Sequence, residues 1–299
     1  MSDLDLRKLR YFLAVAEELN FARAAERLHI VQPVLSRQIA ALERELGVTL
    51  FDRSKRGTRL TDAGATLVDE ARAILVSASA VQRRVRRSVQ EGPVFTIAFM
   101  PGIVVTPAVT GLEAMFTDLR VDVLRTQWDS QVEVLHDGRA DVSLVRLPVP
   151  SRGLTLIPLY SEPKVAVLPV GHPLSAVPGL HIEDLVECDL LQEPDTVPEW
   201  REAAALLRPA ALDEDRPRVP FTHSVEEKLE RVAACRGIVI LPESTARYYV
   251  RPDVVSRPVA GTLPSDVAIA FEANRRTDHV EAFVAVAKEL IPHRLEPPP

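Results

Sequence analysis

The chain has only two cysteines in 299 residues, and this scarcity excludes several classes of protein. Cys188 and Cys235 form an isolated pair of the kind that is typical of two reduced thiols, not of a disulfide framework or a redox sensor. No cluster of cysteine and histidine has the spacing of metal ligands. We therefore expect no metal site, and nothing in the sequence indicates a cofactor.

Long apolar runs are also missing. No stretch approaches the roughly 18 consecutive apolar residues of a membrane-spanning helix, and the N-terminus MSDLDLRKL lacks the pattern of a signal peptide. We expect a cytoplasmic protein without a membrane partner. The motifs of common enzymes are absent as well, because the chain has no G-x-S-x-G, no Walker loop and no dinucleotide-binding glycine fingerprint. The sequence does not favour an enzyme.

Proline and charge are distributed unevenly along the chain. Only one of the 24 prolines, Pro33, precedes Gly92. Residues 1–90 hold 16 of the 36 basic and 11 of the 42 acidic residues, so this stretch has a net charge of +5 and the remainder has −11. The pattern predicts a helical, basic head on an acidic body rich in strands and turns, with the head oriented toward a polyanion.

The segment 21–50 predicts two helices joined by a tight turn. Each helix has an apolar stripe at helical spacing. The stripes consist of Phe21, Ala24, Ala25 and Leu28, and of Leu35, Ile39, Leu42 and Leu46. Asn20 stands at the N-cap position of the first helix, and Gly47 ends the second.

The second helix has an outer face opposite its apolar stripe. This face consists of Pro33, Ser36, Arg37, Ala40 and Arg44. Small residues and arginine allow close approach to a surface while still donating hydrogen bonds, as in the helix of a helix-turn-helix that enters the major groove. Gln32, Pro33, Ser36 and Arg37 are our candidates for contacts with base edges or groove walls. The alternative is a helical hairpin that only packs or oligomerises.

The next segment favours double-stranded DNA as the partner. Four basic residues fall within seven positions around Gly57, at the length of a hairpin. We interpret residues 51–60 as a wing whose tip lies along the phosphate backbone or in the minor groove, with Arg53, Arg56 and Arg59 as contacts. A solvated charged loop is the alternative.

Many residues of this head stand at the fixed spacing of one family motif. They are Ala24, Ala25, Leu28, Gln32, Pro33, Leu35 to Ile39, Leu42, Glu43, Glu45 to Gly47, Leu50, Phe51, Arg53, Leu60, Thr61 and Gly64. On these residues the chain strongly resembles the LysR-type transcriptional regulators. One departure is Val31, where the family often has a serine. Because valine cannot cap a helix, the cap must come from the backbone or from Gln32.

A long linker helix follows the wing. Thr61 is a plausible N-cap, and residues 62–90 contain no proline, so the helix would span roughly 43 Å. Its apolar residues step as a heptad seam, namely Leu67, Ala71, Ile74, Ala78, Val81 and Val85. We interpret the seam as a dimer interface, and the alternative is packing on the helix's own domain. The resemblance implies a homotetramer built from such dimers.

The body alternates strands and helices, which predicts an α/β fold with a mainly parallel sheet. The predicted strands are 94–99, 121–124, 142–145, 154–158, 164–168, 190–192, 219–222, 238–241 and 267–271, and helices are predicted at 107–117, 131–137, 225–234 and 280–290. The resemblance implies two hinged α/β lobes like those of a periplasmic binding protein. The predicted domains are therefore 1–61, the linker 62–91, and an effector domain 92–299 with lobe I at about 92–162 and 266–295 and lobe II at about 163–265.

Ligands of open α/β sheets bind beyond the carboxyl ends of the strands. The candidates there for contact with a small-molecule effector are Met100, Gly102, Thr106, Thr126, Arg146 and His223. Thr106 opens a helix whose N–H groups can hold an anion, and arginine binds carboxylates in a bidentate manner. We expect a small carboxylate as effector, with Arg146 as its first ligand. Alternatively, Arg146 pairs with Asp141 or Glu162.

Overall fold

The structure is a computed structural model that describes residues 4–54, 57–90, 93–209 and 224–291. It divides into two compact units. The first holds the N-terminal 89 residues, and the second holds nearly all of the rest. In the described part of the chain, no helix combines the length and the apolar character needed to cross a membrane.

The first unit consists of three helices, a hairpin and a long helix. In chain order these are α1 (Leu6–Glu18), α2 (Phe21–Arg27), α3 (Gln32–Leu46), β1 (Phe51–Ser54), β2 (Gly57–Leu60) and α4 (Asp62–Gln90). The strands pair antiparallel, with Phe51 opposite Leu60. This hairpin is the predicted wing, whereas the sequence analysis did not predict α1.

Local capping signals set the bounds of α2 and α3. The Asn20 side chain accepts hydrogen bonds from the backbone N–H groups of Ala22 and Arg23, at 2.9 and 3.1 Å. Gly47 ends α3 with a φ of 70°, which glycine adopts without steric cost. The stripe of α3 is fully buried in the core of the unit except for Leu46, which is 40% exposed because the helix ends there.

Gly64 allows α4 to begin against the wing. The Thr61 hydroxyl accepts a hydrogen bond from the Gly64 N–H at 3.0 Å and donates one to the Thr49 carbonyl at 2.8 Å. A Cβ added to Gly64 would lie only 2.2 Å from the Leu50 carbonyl oxygen. Any larger residue would therefore push the first turn of α4 away from the backbone of Leu50.

The heptad seam of α4 divides into two parts. Ala71 is fully buried in the core of the first unit, and Leu67 and Ile74 pack partly against that core. Val81 and Val85 are 51% and 59% exposed. The first part of the seam therefore follows the alternative of packing on its own domain, whereas the two valines of the second part are about half exposed.

The second unit contains two sheets. The five-stranded sheet has the order β4-β3-β5-β11-β6, and the four-stranded sheet has the order β8-β10-β7-β9. The strands are β3 (Val94–Phe99), β4 (Arg120–Arg125), β5 (Val142–Arg146), β6 (Leu154–Glu162), β7 (Lys164–Pro169), β8 (Leu180–His181), β9 (Val239–Pro242), β10 (Val254–Ala260) and β11 (Ser265–Glu272). We call the five-stranded sheet with its helices lobe I and the four-stranded sheet with its helices lobe II.

The described part of the second unit also contains α-helices. They are α5 (Thr106–Met115), α6 (Glu133–His136), α7 (Pro198–Leu207), α8 (Val225–Ala233), α9 (Glu243–Tyr248) and α10 (Asp278–Leu290). Helices α5 and α10 pack together on lobe I, where Leu112 and Phe283 join the core under β3. The strands β8 and β10 and the helices α7 and α9 were not predicted.

The prediction of a mainly parallel sheet is wrong. Strand β3 runs parallel to β4 and β5, but β11 runs antiparallel to both β5 and β6. Among the described strands of lobe II, β8 and β10 are parallel, and β7 runs antiparallel to both β9 and β10. The chain leaves lobe I at Pro163 and re-enters it at Ser265, so β11 inserts against the direction of its neighbours. The predicted strand 190–192 is a single bridge between Leu190 and Ile238, and 219–222 lies outside the described residues.

The open part of the seam generates a test of the dimer. We expect Val81→Asp to weaken self-association by about two decades or more, because a symmetric interface would bury two unpaired carboxylates. Analytical ultracentrifugation of the full chain measures this. Val170→Asp, at a 53% exposed valine in the loop after β7, is the matched control and should leave the assembly unchanged. An unchanged assembly in Val81→Asp would exclude this seam as the interface.

Candidate nucleic-acid interface and effector cleft

The outer face of α3 is solvent-accessible. Gln32, Pro33 and Arg37 are exposed, and Ser36 is half-buried beside them. The Arg37 Nε donates to the Pro33 carbonyl at 3.3 Å, which lays the side chain along its own helix. The guanidinium group therefore sits at the N-terminal half of α3, where a helix that enters a groove contacts base edges.

Val31 is the N-cap residue of α3, with an extended backbone and no hydrogen bond from its side chain to the helix in the described structure. Its carbonyl accepts from the N–H groups of Val34 and Leu35, at 3.0 and 3.3 Å. The first turn thus depends on backbone bonds. The Val31 side chain is 65% exposed, so it takes no part in the core.

A single carboxylate ties the wing to α3. Glu43 Oε1 accepts from the backbone N–H groups of Leu50 and Phe51, at 2.8 and 3.3 Å. This contact fixes where the hairpin leaves the helix, and the sequence analysis missed it. The available signal was an acidic residue in the last turn of α3, seven positions before the apolar pair Leu50 and Phe51.

Of the predicted contacts in the wing, the structure describes one completely. Arg59 is exposed on β2, where its backbone lies opposite Asp52. The backbone of Arg53 pairs with Thr58 on the neighbouring strand, and its side chain is outside the described part. Arg56 lies outside the described residues.

The cleft candidates of lobe I lie at the ends of neighbouring strands. Met100 follows β3 and is buried in the core of lobe I. Thr126 follows β4 and is buried, with its hydroxyl donating to the Phe99 carbonyl at 3.1 Å. Both residues are therefore buried next to the carboxyl ends of β3 and β4.

Gly102 and Thr106 occupy different places in the loop and helix after β3. Gly102 has a φ of +87°, and a Cβ added there would lie 2.6 Å from the backbone nitrogen of Thr245 in lobe II. Gly102 is thus a point of close contact between the lobes. Thr106 is exposed at the first position of α5, whose N-cap Val105 provides no side-chain bond in the described structure. His223 lies outside the described residues.

The structure corrects the role of Arg146. Its side chain is only 2% exposed, and its Nη1 lies 2.6 Å from Glu162 Oε1. The remaining bonds go to Ser265 Oγ at 3.2 Å, Ser244 Oγ at 2.8 Å, Thr245 Oγ1 at 3.3 Å and the Pro101 carbonyl at 3.4 Å. The ion pair with Glu162, which the sequence left open, is the one that forms. A guanidinium committed in this way is not available as the first ligand of an effector.

The Arg146 network, which consists of Arg146, Glu162, Ser244, Thr245 and Pro101, joins the lobes. Glu162 also accepts from the Ser244 N–H at 2.7 Å and the Ser244 hydroxyl at 2.8 Å, so it holds the first turn of α9. Thr245 Oγ1 donates to the Pro101 carbonyl at 3.0 Å. Burial, and then the charge of Glu162, raises the pKa of Tyr160 to about 12, so this neighbouring phenol stays neutral.

A second inter-lobe contact, the Arg125 cluster, consists of Arg125, Glu226 and Tyr249. The Arg125 Nη2 lies 3.0 Å from Glu226 Oε1 and 3.2 Å from the Tyr249 hydroxyl, which donates to Glu226 at 3.0 Å. Burial acts to raise the pKa of Glu226, but hydrogen bonds from its own N–H and Tyr249, with the charge of Arg125, outweigh it and lower that pKa. Burial and the bond to Glu226 raise the pKa of Tyr249 to about 12. Both charged side chains remain about half exposed.

Comparison with known proteins identifies both units. The model of a bacterial regulatory helix-turn-helix protein of the lysR family matches residues 6–65, and that of the LysR substrate binding domain matches residues 90–292. The chain belongs to the LysR family of transcriptional regulators. The helix-turn-helix and the α/β body are thus those of a DNA-binding regulator, and the similar curated proteins are named regulators, not enzymes.

Several full-length relatives are similar to this LysR-family chain. It is 34% identical over 295 residues to the Hca operon transcriptional activator HcaR of Escherichia coli (strain K12). This alignment covers 96% of this chain and 98% of HcaR. It is 32% identical to the regulator TfdS of Cupriavidus pinatubonensis, over 95% of this chain and 98% of TfdS. The crystal structure of CbnR, a LysR family regulator, has a TM-score of 0.62 at 24% identity, over 97% of this chain and 100% of CbnR, and supports the fold.

The Arg146 network generates a prediction about stability. Arg146→Ala should destabilise this regulator by about 3–5 kcal/mol in urea unfolding, because Glu162 would be left as an uncompensated buried charge. Arg146→Met combined with Glu162→Gln should recover a large part of that loss, since no buried charge then remains unpaired. Arg120→Ala removes one partner of the exposed pair with Asp122 and should cost less than about 1 kcal/mol. A similarly small loss for Arg146→Ala would contradict the structural role.

Proposed function

We propose that this LysR-family regulator recognises a specific duplex sequence through the outer face of α3 and the wing, and that a small carboxylate bound between the lobes modulates its activity. The observation that carries the first part is the exposed face of α3, where polar, small and arginine side chains stand opposite the fully buried Leu35, Ile39 and Leu42. Family membership supports the second part, because the body matches the substrate binding domain of the family over its full described length.

The contacts with DNA divide between two elements. Gln32, Pro33, Ser36 and Arg37 meet base edges or groove walls, because they lie at the start of α3. Arg53, Arg56 and Arg59 meet the phosphate backbone or the minor groove, and Glu43 supports this geometry by holding the base of the wing.

The effector cleft lies between the ends of β3, β4 and β5 and the facing part of lobe II. Thr106 is the candidate with the best access, since it is exposed at the start of α5, where free N–H groups favour an anion. Met100, Gly102 and Thr126 form the floor around it. Arg146 acts as a positioning residue that keeps this floor and lobe II together.

The oligomer is assigned to the linker. We assign residues 1–61 to the DNA-binding head, 62–91 to the linker and 92–299 to the effector domain. Two chains pair through the exposed part of the seam, at Val81 and Val85, so that the dimer presents two heads to two half-sites. Family membership supports a tetramer that is built from two such dimers.

The two DNA-contacting elements should respond differently to mutation. Arg37→Ala should weaken binding to the preferred duplex by about 1–3 kcal/mol, because a base-reading arginine gives that much discrimination. Arg59→Ala should weaken preferred and random duplexes alike and reduce the salt slope by about one, because it removes one phosphate contact. The preferred duplex is selected from a random library with the wild-type chain, and fluorescence anisotropy over a salt series measures the affinities.

Arg72→Ala is the control for these two variants. Arg72 is an exposed arginine of α4, away from the outer face of α3 and the wing, and its loss should change neither affinity nor slope. Wild-type affinity in both Arg37→Ala and Arg59→Ala would show that α3 and the wing do not contact DNA.

The proposed cleft makes a prediction about ligand charge. In a thermal-shift screen of the full chain, small organic acids should stabilise the protein, whereas the matching neutral amides should not. At an acid concentration of one hundred times the dissociation constant, the expected stabilisation is about 2.7 kcal/mol. Thr106→Glu should weaken binding of the active acid at least about tenfold, because its carboxylate occupies the start of α5. Thr110→Glu adds the same charge at an exposed threonine of the same helix and is the control. Equal stabilisation by acids and amides would exclude a carboxylate effector.

A further inference from the structure

Val31 is a large apolar side chain that stands apart from the core of its own helix. It is 65% exposed, whereas Leu35, Ile39 and Leu42 on the buried side of α3 have no exposed surface at all. Val31 therefore contributes little to the packing of the first unit. Its side chain is therefore available for contact with a partner outside the chain.

The position carries a cost in helix stability. Serine, threonine, asparagine and aspartate are the preferred N-caps, and a helix whose N-cap residue has no capping side chain is less stable. The neighbouring helix α2 has such a cap, because Asn20 accepts from two backbone N–H groups. Val31, at the start of α3, provides no comparable bond from its side chain in the described structure.

The neighbours of Val31 show what this side chain faces. Gln32 and Pro33 follow it directly and are also exposed, so the three residues form a continuous exposed stretch at the start of α3 that adjoins the outer face through Pro33. An isopropyl group can neither donate nor accept a hydrogen bond. Among the groups that base pairs present in the major groove, the C5-methyl of thymine is the one with apolar character.

We propose that Val31 contacts the C5-methyl group of a thymine in the major groove and makes this regulator prefer thymine at that position. The inference rests on the proposed function of the outer face of α3. It adds to the hydrogen-bonding contacts of Gln32 and Arg37 an apolar contact that discriminates bases only by the presence of the methyl group.

Deoxyuridine provides the test, since its substitution for thymine removes the methyl group and leaves the hydrogen-bonding pattern intact. The duplex selected by the wild-type chain is prepared with each thymine replaced in turn by deoxyuridine. At one position the replacement should weaken the wild-type chain about fourfold, which is the effect expected of one buried methyl group. The same replacement should change the affinity of Val31→Ala by less than about a factor of 1.5.

Val31→Ser separates this role from an effect on folding. The serine restores a capping side chain, so thermal unfolding should shift upward while the sensitivity to deoxyuridine disappears. If the unfolding temperature rises while the sensitivity to deoxyuridine is lost, misfolding is excluded as the cause of the lost sensitivity. Val48→Ser, at a 44% exposed valine beyond the other end of α3, is the matched control and should keep the full sensitivity to deoxyuridine.

Two results would overturn the proposal, and they are distinguishable. Equal losses in wild type and Val31→Ser at every deoxyuridine position would show that Val31 contacts no methyl group, while the proposed function stands. Failure of the wild-type chain to select any sequence would remove the proposed function of the outer face, and this proposal with it.

Discussion

The buried ion pair between Arg146 and Glu162 is the contact on which the geometry of the effector domain depends. Placing two charges in the interior is costly unless hydrogen bonds satisfy them, and here Ser244 donates to Glu162 while accepting from Arg146. These bonds join the ends of β5 and β6 to the first turn of α9. Because the partners come from both lobes, the network stabilises one relative position of the two sheets next to the crossing at Pro163.

The two inter-lobe contacts differ in what it costs to break them. The Arg146 network is buried, so separating its partners leaves a charge without its counter-ion, at a cost of several kcal/mol. The Arg125 cluster is about half exposed, and ion pairs of that kind contribute about 0–1 kcal/mol. A ligand that separates or draws together the lobes can therefore rearrange the Arg125 cluster with a small part of its binding energy. Movement about the Arg146 network is restricted to changes that keep its bonds.

The sequence predicted what depends on neighbouring residues. The bounds of α4, the cap at Asn20 and the end of α3 at Gly47 follow from periodicity and capping within a few positions. The antiparallel insertion of β11 and the partners of Arg146 depend on residues far apart in the chain, since Ser265 lies 119 positions and Ser244 98 positions from Arg146. Local patterns contain no information on which of several carboxylates an arginine will meet. For the same reason Arg146 was first predicted to bind an effector.

This difference between local and distant contacts separates the two kinds of specificity in the molecule. On α3 the residues that support the helix and those on its outer face occupy opposite sides, so Gln32 or Arg37 can change without disturbing Leu35 and Ile39. At the ends of the strands of lobe I, by contrast, the candidate residues support the fold, because Thr126 holds the end of β3 and Arg146 holds lobe II. In the cleft that we propose, substitutions that spare stability are therefore those at exposed positions such as Thr106. A DNA preference that depends on the outer face of α3, as we propose, has no such restriction, because that face does not support the core.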